Sequence, residues 1–333
     1  MKYNMHQWLD SMHGPQPKKP LPILSFPAVQ LLNIDVKTLI GDMDLQAYGM
    51  KAIADRVPSA ASVSLMDLSV EAECFGAPIR ISADEVPTVT AGIVFTMEDA
   101  VSLRVPAVGE GRTGICVCAI EKAVALITDR PVFAGVIGPY SLAGRLIDVT
   151  QIMYECYDSP EMVHTVLEKV ADFLIIYCNA FKAAGANGVI MAEPLAGLLS
   201  PALAEEFSCK YVKHIVDSTQ ADDFIVIYHN CGNAVPAMLN EILATGCSAY
   251  HFGNAISMPD ILNVIPSDIV CMGNIDPAAQ FRNGTQESIQ HATKALLEAC
   301  RGHNNFVLSS GCDIPPLSKW ENIDAFFQAA LEP

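Results

Sequence analysis

Phe224-Ile-Val-Ile-Tyr228, followed directly by His229-Asn-Cys231, has the β-branched, apolar composition of a parallel strand buried on both faces. A strand of that kind delivers His229 and Cys231 at its carboxyl end. A second apolar run, Phe306-Val-Leu308, leads in the same way into Ser310-Gly-Cys312-Asp313. One imidazole and two thiolates converging from two strand ends suit zinc with a fourth position left open, which is the layout of a catalytic site. A structural zinc site closes all four positions and commonly uses two short Cys/His spacings, whereas Cys312 lies far downstream of the His-x-Cys pair.

Outward from this stretch, strand and helix alternate with short links, the pattern of a parallel sheet. Upstream, Val132-Phe-Ala-Gly-Val-Ile137 is a strand running into Gly138-Pro-Tyr140-Ser-Leu142, and residues 160–184 form a long helix entered through Asp158-Ser159 and closed by Gly185. Gly188-Val-Ile-Met191 is the next strand, ending on Glu193-Pro194, and residues 201–217 are helical. Downstream come a helix near residues 234–244, strands over 247–252 and 268–272, a helix over 285–301 and a last helix over 320–331; the second of those strands reaches Gly273-Asn274-Ile-Asp276-Pro277. Near the start, Leu21-Pro-Ile-Leu-Ser-Phe26 reads as the first strand, residues 36–56 as helix, and Ala61-Ser-Val-Ser-Leu-Met66 as a second strand that delivers Asp67. Repeated βα units closed by a helix packing on the first strand describe an α/β fold, a single-domain (β/α)8 TIM barrel over residues 21–333. Residues 1–20, polar and carrying Pro15, Pro17 and Pro20, form an N-terminal lead-in able to act as a mobile flap. Chemistry in such a barrel sits at the carboxyl rim, where His229, Cys231, Cys312, Asp67, Glu193, Tyr140 and Asp276 all fall.

Two other motifs are weaker. Gly109-Glu-Gly-Arg-Thr-Gly114 matches a dinucleotide fingerprint, but Pro106 interrupts the run before it and Asp129 precedes the next strand instead of ending it, so it reads as a loop and helix start. Cys116 and Cys118 point to different faces of that helix and cannot jointly hold a metal. Glu71 and Glu73 fall in a short turn ended by Gly76, where paired carboxylates are usually solvated.

Composition bounds the rest. With 333 residues and 51% hydrophobic, the chain can bury a large core. A formal charge of −17, from 37 acids against 20 bases, argues against a nucleic-acid or anionic-membrane surface. Eleven cysteines, odd in number and without framework spacing, point to a reducing compartment, the cytoplasm. No apolar run approaches the roughly 18 residues of a bilayer span, and the first twenty residues lack a signal-peptide core, so neither secretion nor anchoring is expected.

Asp67 with Val70-Glu-Ala-Glu-Cys-Phe-Gly76, Ile137-Gly-Pro-Tyr-Ser-Leu-Ala143, Tyr228-His-Asn-Cys-Gly232, Met272-Gly-Asn-Ile-Asp-Pro277 and Ser310-Gly-Cys-Asp-Ile-Pro315 together resemble the uroporphyrinogen decarboxylase superfamily. The resemblance runs from about Leu21 onward. The His-x-Cys pair and the late Gly-Cys-Asp-Ile-Pro are similar to its zinc-dependent methylcobamide:coenzyme M methyltransferase branch. That likeness implies zinc on His229, Cys231 and Cys312, a methylated corrinoid brought to the barrel mouth by a small corrinoid-binding protein, and a thiol acceptor such as coenzyme M. It also implies catalytic roles for Asp67, Glu193 and Tyr140, and corrinoid contacts from Asp67, Asn274 and Asp276. Glu193 or the lead-in is a candidate fourth zinc ligand; the alternative for Glu193 is capping of the loop that follows it. The decarboxylases carry an arginine-rich N-terminal motif, and no arginine stands in residues 1–41. A decarboxylase and a non-catalytic corrinoid- or metal-binding barrel stay open beside the methyltransferase.

Overall fold

Apolar runs separated by amphipathic helices pair in chain order. In the computed structural model, which describes residues 3–332, Ser62–Val63 (β1), Val132–Ile137 (β2), Gly188–Ala192 (β3), Ile225–Asn230 (β4), Ala249–Phe252 (β5), Val270–Ile275 (β6) and Phe306–Ser310 (β7) form one sheet, each strand parallel to the next. Every residue of β3 to β7 is buried. The period of two sorts them: Ile190, Ile225, Ile227, Ala249, Val270, Met272 and Val307 pack together inside the ring, while Val189, Met191, Val226, Tyr228, Tyr250 and Cys271 pack outward on the helices.

Eight strands were expected and seven form the ladder. The run 21–26 does not join it because Pro20 and Pro22 have no amide hydrogen to donate. It nevertheless occupies the eighth position: Leu21 N–H donates to the Leu308 carbonyl (2.9 Å), Ala60 N–H donates to the Pro20 carbonyl (2.9 Å), and Ile23 N–H donates to Ser310 Oγ (3.0 Å). Leu21 and Ile23 are fully buried among the inner-face residues. The single-domain (β/α)8 TIM barrel is thus completed by one proline-interrupted segment.

The lead-in is corrected. Met5–Ser11 is a helix, capped by Asn4, whose side chain accepts from Gln7 N–H (2.9 Å). It sinks Met5 and Trp8 into the inner core, with the Trp8 ring 5.4 Å from Phe133. Met5 N–H bonds the Asp222 carbonyl and Gly14 N–H that of Asn304, both in loops that precede strands. The lead-in plugs the amino end of the barrel, so it cannot close over the carboxyl rim or supply a ligand there.

Three other departures have local causes. Helix 36–56 splits into Val36–Ile40 and Met43–Arg56, because Asp42 accepts from Asp44 and Leu45 N–H and starts a new helix. Helix 201–217 contains a π-helical turn, Glu205–Cys209, between Pro201–Ala204 and Lys210–Thr219. An antiparallel hairpin, Ile79–Arg80 with Thr88–Val89, was missed, since two-residue strands leave no alternation to read. Among the described residues no helix is long and apolar enough to cross a membrane.

Candidate metal centre

The inner-face series Ile225, Ile227, His229 places the imidazole in the top layer of the barrel, in register with Ala192 on one side and His251 on the other. A ring nitrogen of His229 and the sulfurs of Cys231 and Cys312 lie within 4.8 Å of one another; this is the metal-capable cluster found among the described residues. Its members come from the end of β4 and the loop after β7. Gly253 keeps the place clear, because a Cβ there would stand 2.5 Å from Cys231 Cα and Cβ.

The electron pair of the histidine is oriented by a chain of hydrogen bonds. Ser309 Oγ donates its single hydrogen to the Leu21 carbonyl (2.7 Å), so it can only accept from His251 Nε2 (2.7 Å). His251 Nδ1 then carries no hydrogen and accepts from His229 Nδ1–H (2.8 Å). Burial holds the His251 imidazolium form well below its ordinary pKa, which keeps this neutral arrangement. The remaining nitrogen, His229 Nε2, is buried and without a partner, its lone pair free for a cation. Sequence reading passed over His251 as one residue of a strand; His229 and His251 being register partners is the signal that could have found it. His251→Gln is expected to weaken zinc affinity ten- to a hundredfold, in the range typical of residues that orient ligands, measured by competition with a chelator; unchanged affinity would mean that something other than His251 sets the His229 tautomer.

The two thiols lie close enough to act on one another. Cys312, with a smaller contribution from His229, pulls the adjacent Cys231 thiol below the ordinary range against the cost of burial, and the same contact together with burial pushes Cys312 well above that range. Two sulfurs and a buried imidazole nitrogen without a partner fit a soft divalent cation such as zinc.

The other expected residues are held by the protein itself. Glu193 is fully buried; Ser141 N–H donates to its Oε1 (3.0 Å) and Ser208, on the π-helical turn, donates to its Oε2 (2.8 Å), while burial raises its carboxyl to about 7. Both oxygens are engaged, by the start of helix Pro139–Ile147 and by the π-helical turn, and neither partner belongs to the loop that follows Glu193. A Cβ on Gly138 would come within 2.1–2.4 Å of this side chain. Tyr140 points outward to Cys156 (3.6 Å) and away from the cluster. Asn274 donates to the carbonyls of Gly253 and Ile256, and Asp276 caps the turn Pro277–Arg282 by accepting from Ala279 N–H (2.8 Å); both fix loops. Asp67 is buried against Arg112, with Ser69 N–H and Oγ donating to its Oδ1. Arg112, missed in the sequence, also binds Glu73 (2.6 Å) and Ser69 Oγ (2.8 Å), so Glu73 is paired rather than solvated.

Glu71 is a second buried carboxyl near this ion pair. Its Oε1 accepts from Ile137 N–H (3.1 Å), its Oε2 has no partner, and burial raises it from 4.5 to about 7. Between those values the unfolded chain releases a proton that the folded chain keeps, so this group's contribution to stability is lost as pH rises from about 4.5 to 7. Glu71→Gln keeps the acceptor and removes the titration. At pH 8 the variant should be more stable by about 2–3 kcal/mol, a gain that vanishes at pH 4; equal stability changes at both pH values would refute this.

The family described as Uroporphyrinogen decarboxylase (URO-D) matches residues 26–332. The methylcobamide:CoM methyltransferase MtbA of Methanosarcina acetivorans is 28% identical over 272 residues, 79% of this chain and 77% of that protein. A uroporphyrinogen decarboxylase of Alcanivorax borkumensis is 25% identical over 294 residues, 84% of this chain and 80% of that one. A solved structure of a methyltransferase from Methanosarcina mazei has the same fold, with a TM-score of 0.85 at 23% identity over 99% of this chain and 97% of that chain.

Proposed function

The chain belongs to the uroporphyrinogen decarboxylase family, in the branch resembling MtbA, and we propose that it is a zinc-dependent methyltransferase that moves a methyl group from a methylated corrinoid, carried by a small corrinoid-binding protein, to a thiol such as coenzyme M. The observation that carries this reading is the cluster of His229, Cys231 and Cys312 with an unpartnered, buried Nε2 facing out of a neutral relay. Zinc bound there would hold an acceptor thiol deprotonated and still nucleophilic at neutral pH. The protein's own residues supply the frame: His251 and Ser309 fix the imidazole, Gly253 leaves room behind Cys231, and Glu193 pins the start of helix Pro139–Ile147 beside the mouth. The eleven cysteines are all unpaired, which supports the cytoplasm as its compartment.

A porphyrinogen decarboxylase has Asp67 in its favour, at the position that matches that enzyme's pyrrole-facing aspartate. Here the carboxylate is engaged by Arg112 and Ser69, and the arginine motif is missing from residues 1–41. The deciding experiment offers the zinc-loaded protein methylcobalamin with 2-mercaptoethanesulfonate and, separately, uroporphyrinogen. Thiol-dependent demethylation with no decarboxylation is expected. Uroporphyrinogen turnover at an ordinary enzymatic rate, unaffected by chelators, would assign the chain to the decarboxylases instead.

A further inference from the structure

Of the eleven cysteines, four are partly exposed: Cys116, Cys118, Cys231 and Cys312. The others are buried in the core. Cys116 and Cys118 stand two apart on helix Thr113–Leu126, which turns their side chains to different faces and keeps them from pairing with each other. Cys231 and Cys312 are placed differently. Their sulfurs lie within 4.8 Å of each other, carried there by the end of β4 and the loop after β7.

The surroundings let this pair react. Cys231 lines a cavity of about 330 Å³, large enough for a small solute to reach its sulfur. Cys312 stands between two backbone ties, Gly311 N–H to the Ile275 carbonyl (2.6 Å) and Ile314 N–H to the Ile23 carbonyl (3.0 Å). Rotation of the two side chains, with a small shift of the residues between those ties, closes the gap to the S–S bond length of about 2 Å. Gly253 permits the approach. A Cβ there would stand 2.5 Å from Cys231 Cβ and 3.1 Å from the Gly311 carbonyl oxygen, so any other residue would wedge the two segments apart.

We propose that Cys231 and Cys312 form an oxidation site: a two-electron oxidant of the peroxide class joins them in a disulfide, which empties the metal centre until a thiol reduces it. From two thiols and hydrogen peroxide the step balances. The Cys231 sulfur attacks one peroxide oxygen, the O–O bond breaks, and a sulfenic acid and one water result. The Cys312 sulfur then attacks the Cys231 sulfur, the S–O bond breaks, and the hydroxyl leaves with the Cys312 proton as a second water. Two electrons pass from the sulfurs to the peroxide. The metal is held by thiolate, not by disulfide sulfur, and His229 alone cannot keep an ion against water. Release of metal rests on the zinc reading of the cluster, whereas the disulfide rests on the geometry alone. In a reducing compartment disulfides are typically transient and redox-sensing, the condition under which such a site is reset.

The test separates the two claims. Hydrogen peroxide in small excess is added to zinc-loaded and to chelator-stripped protein, and free thiols, intact mass and released zinc are followed together. The thiol count in denaturant is expected to fall by two from eleven, the mass to drop by two hydrogen atoms, and peptide mapping to join Cys231 to Cys312. About one zinc per chain should leave the loaded protein in step with the lost thiols, and a dithiol reductant with added zinc should reverse every change. Cys118→Ala should still lose two thiols. Cys312→Ala should form no cross-link and leave Cys231 as a sulfenic acid that dimedone traps. A Cys231–Cys312 disulfide in a chain that never takes up zinc would uphold the site and sink the methyltransferase. Zinc retained under peroxide with the pair still reduced, a disulfide formed first between other cysteines, or Cys231 carried on to sulfinic acid beside an unreacted Cys312 would overturn the proposal and leave the methyltransferase standing.

Discussion

Cys312→Ala is expected to lower zinc affinity by about a hundred- to a thousandfold and to abolish methyl transfer at ordinary zinc concentrations. The magnitude follows from the share each ligand carries. Zinc held by a full set of Cys and His ligands is worth about 10–16 kcal/mol near neutral pH, so one thiolate contributes on the order of 3–4 kcal/mol. Cys312 is the ligand to remove because it stands on a loop, with Gly311 before it and a half-buried side chain, so truncation leaves β7 and the inner core intact. Chelator competition followed by assay of the same samples would show both losses together. Full zinc binding by the variant would mean that the third ligand lies elsewhere, and retained zinc with lost activity would give Cys312 a role other than coordination.

The second large effect is on stability. Arg112→Met should cost about 3–5 kcal/mol, the usual result of stripping one partner from a buried ion pair. The Asp67 side chain is 2% exposed and that of Arg112 9%, so neither charge has water to fall back on. Methionine fills much of the volume, and the loss therefore reports the uncompensated carboxylate rather than a cavity. A fall in melting temperature of about 5–10 °C is expected, and Asp67→Asn added to Arg112→Met should recover part of it because the stranded charge is gone. A single variant as stable as the parent, or a double variant that loses the full sum of two independent effects, would show that the pair does not hold this loop.

These two sites differ in how far the sequence reveals them. The strands from 132 onward were legible because they are buried on both faces and read as unbroken apolar runs, and the three metal-capable residues followed from where those runs end. The barrel's first position was misread as a strand because apolar composition alone does not register that Pro20 and Pro22 cannot donate to a ladder. Side-chain direction was harder still. Tyr140, Glu193, Asn274 and Asp276 do stand near strand ends, but they turn to Cys156, to Ser141 and Ser208, to two loop carbonyls and to Ala279. Position at a rim is a property of the backbone, and what a residue bonds there depends on partners distant in sequence. Arg112 is the clearest case, 45 residues from Asp67, in a glycine-rich loop that had been weighed only for phosphate binding. The lead-in was misplaced because a polar, proline-rich stretch conceals the spacing of Met5, Trp8 and Met12 that seals the barrel floor.

The central claim is that His229, Cys231 and Cys312 hold zinc. Metal analysis of the gently purified protein, with X-ray absorption at the zinc edge on the same sample, tests it most directly. About one zinc per chain is expected, with two sulfurs at about 2.3 Å and a nitrogen at about 2.0–2.1 Å in its first shell. Less than about a tenth of an equivalent, with no recovery when zinc is added back, or a first shell without sulfur, would contradict the account.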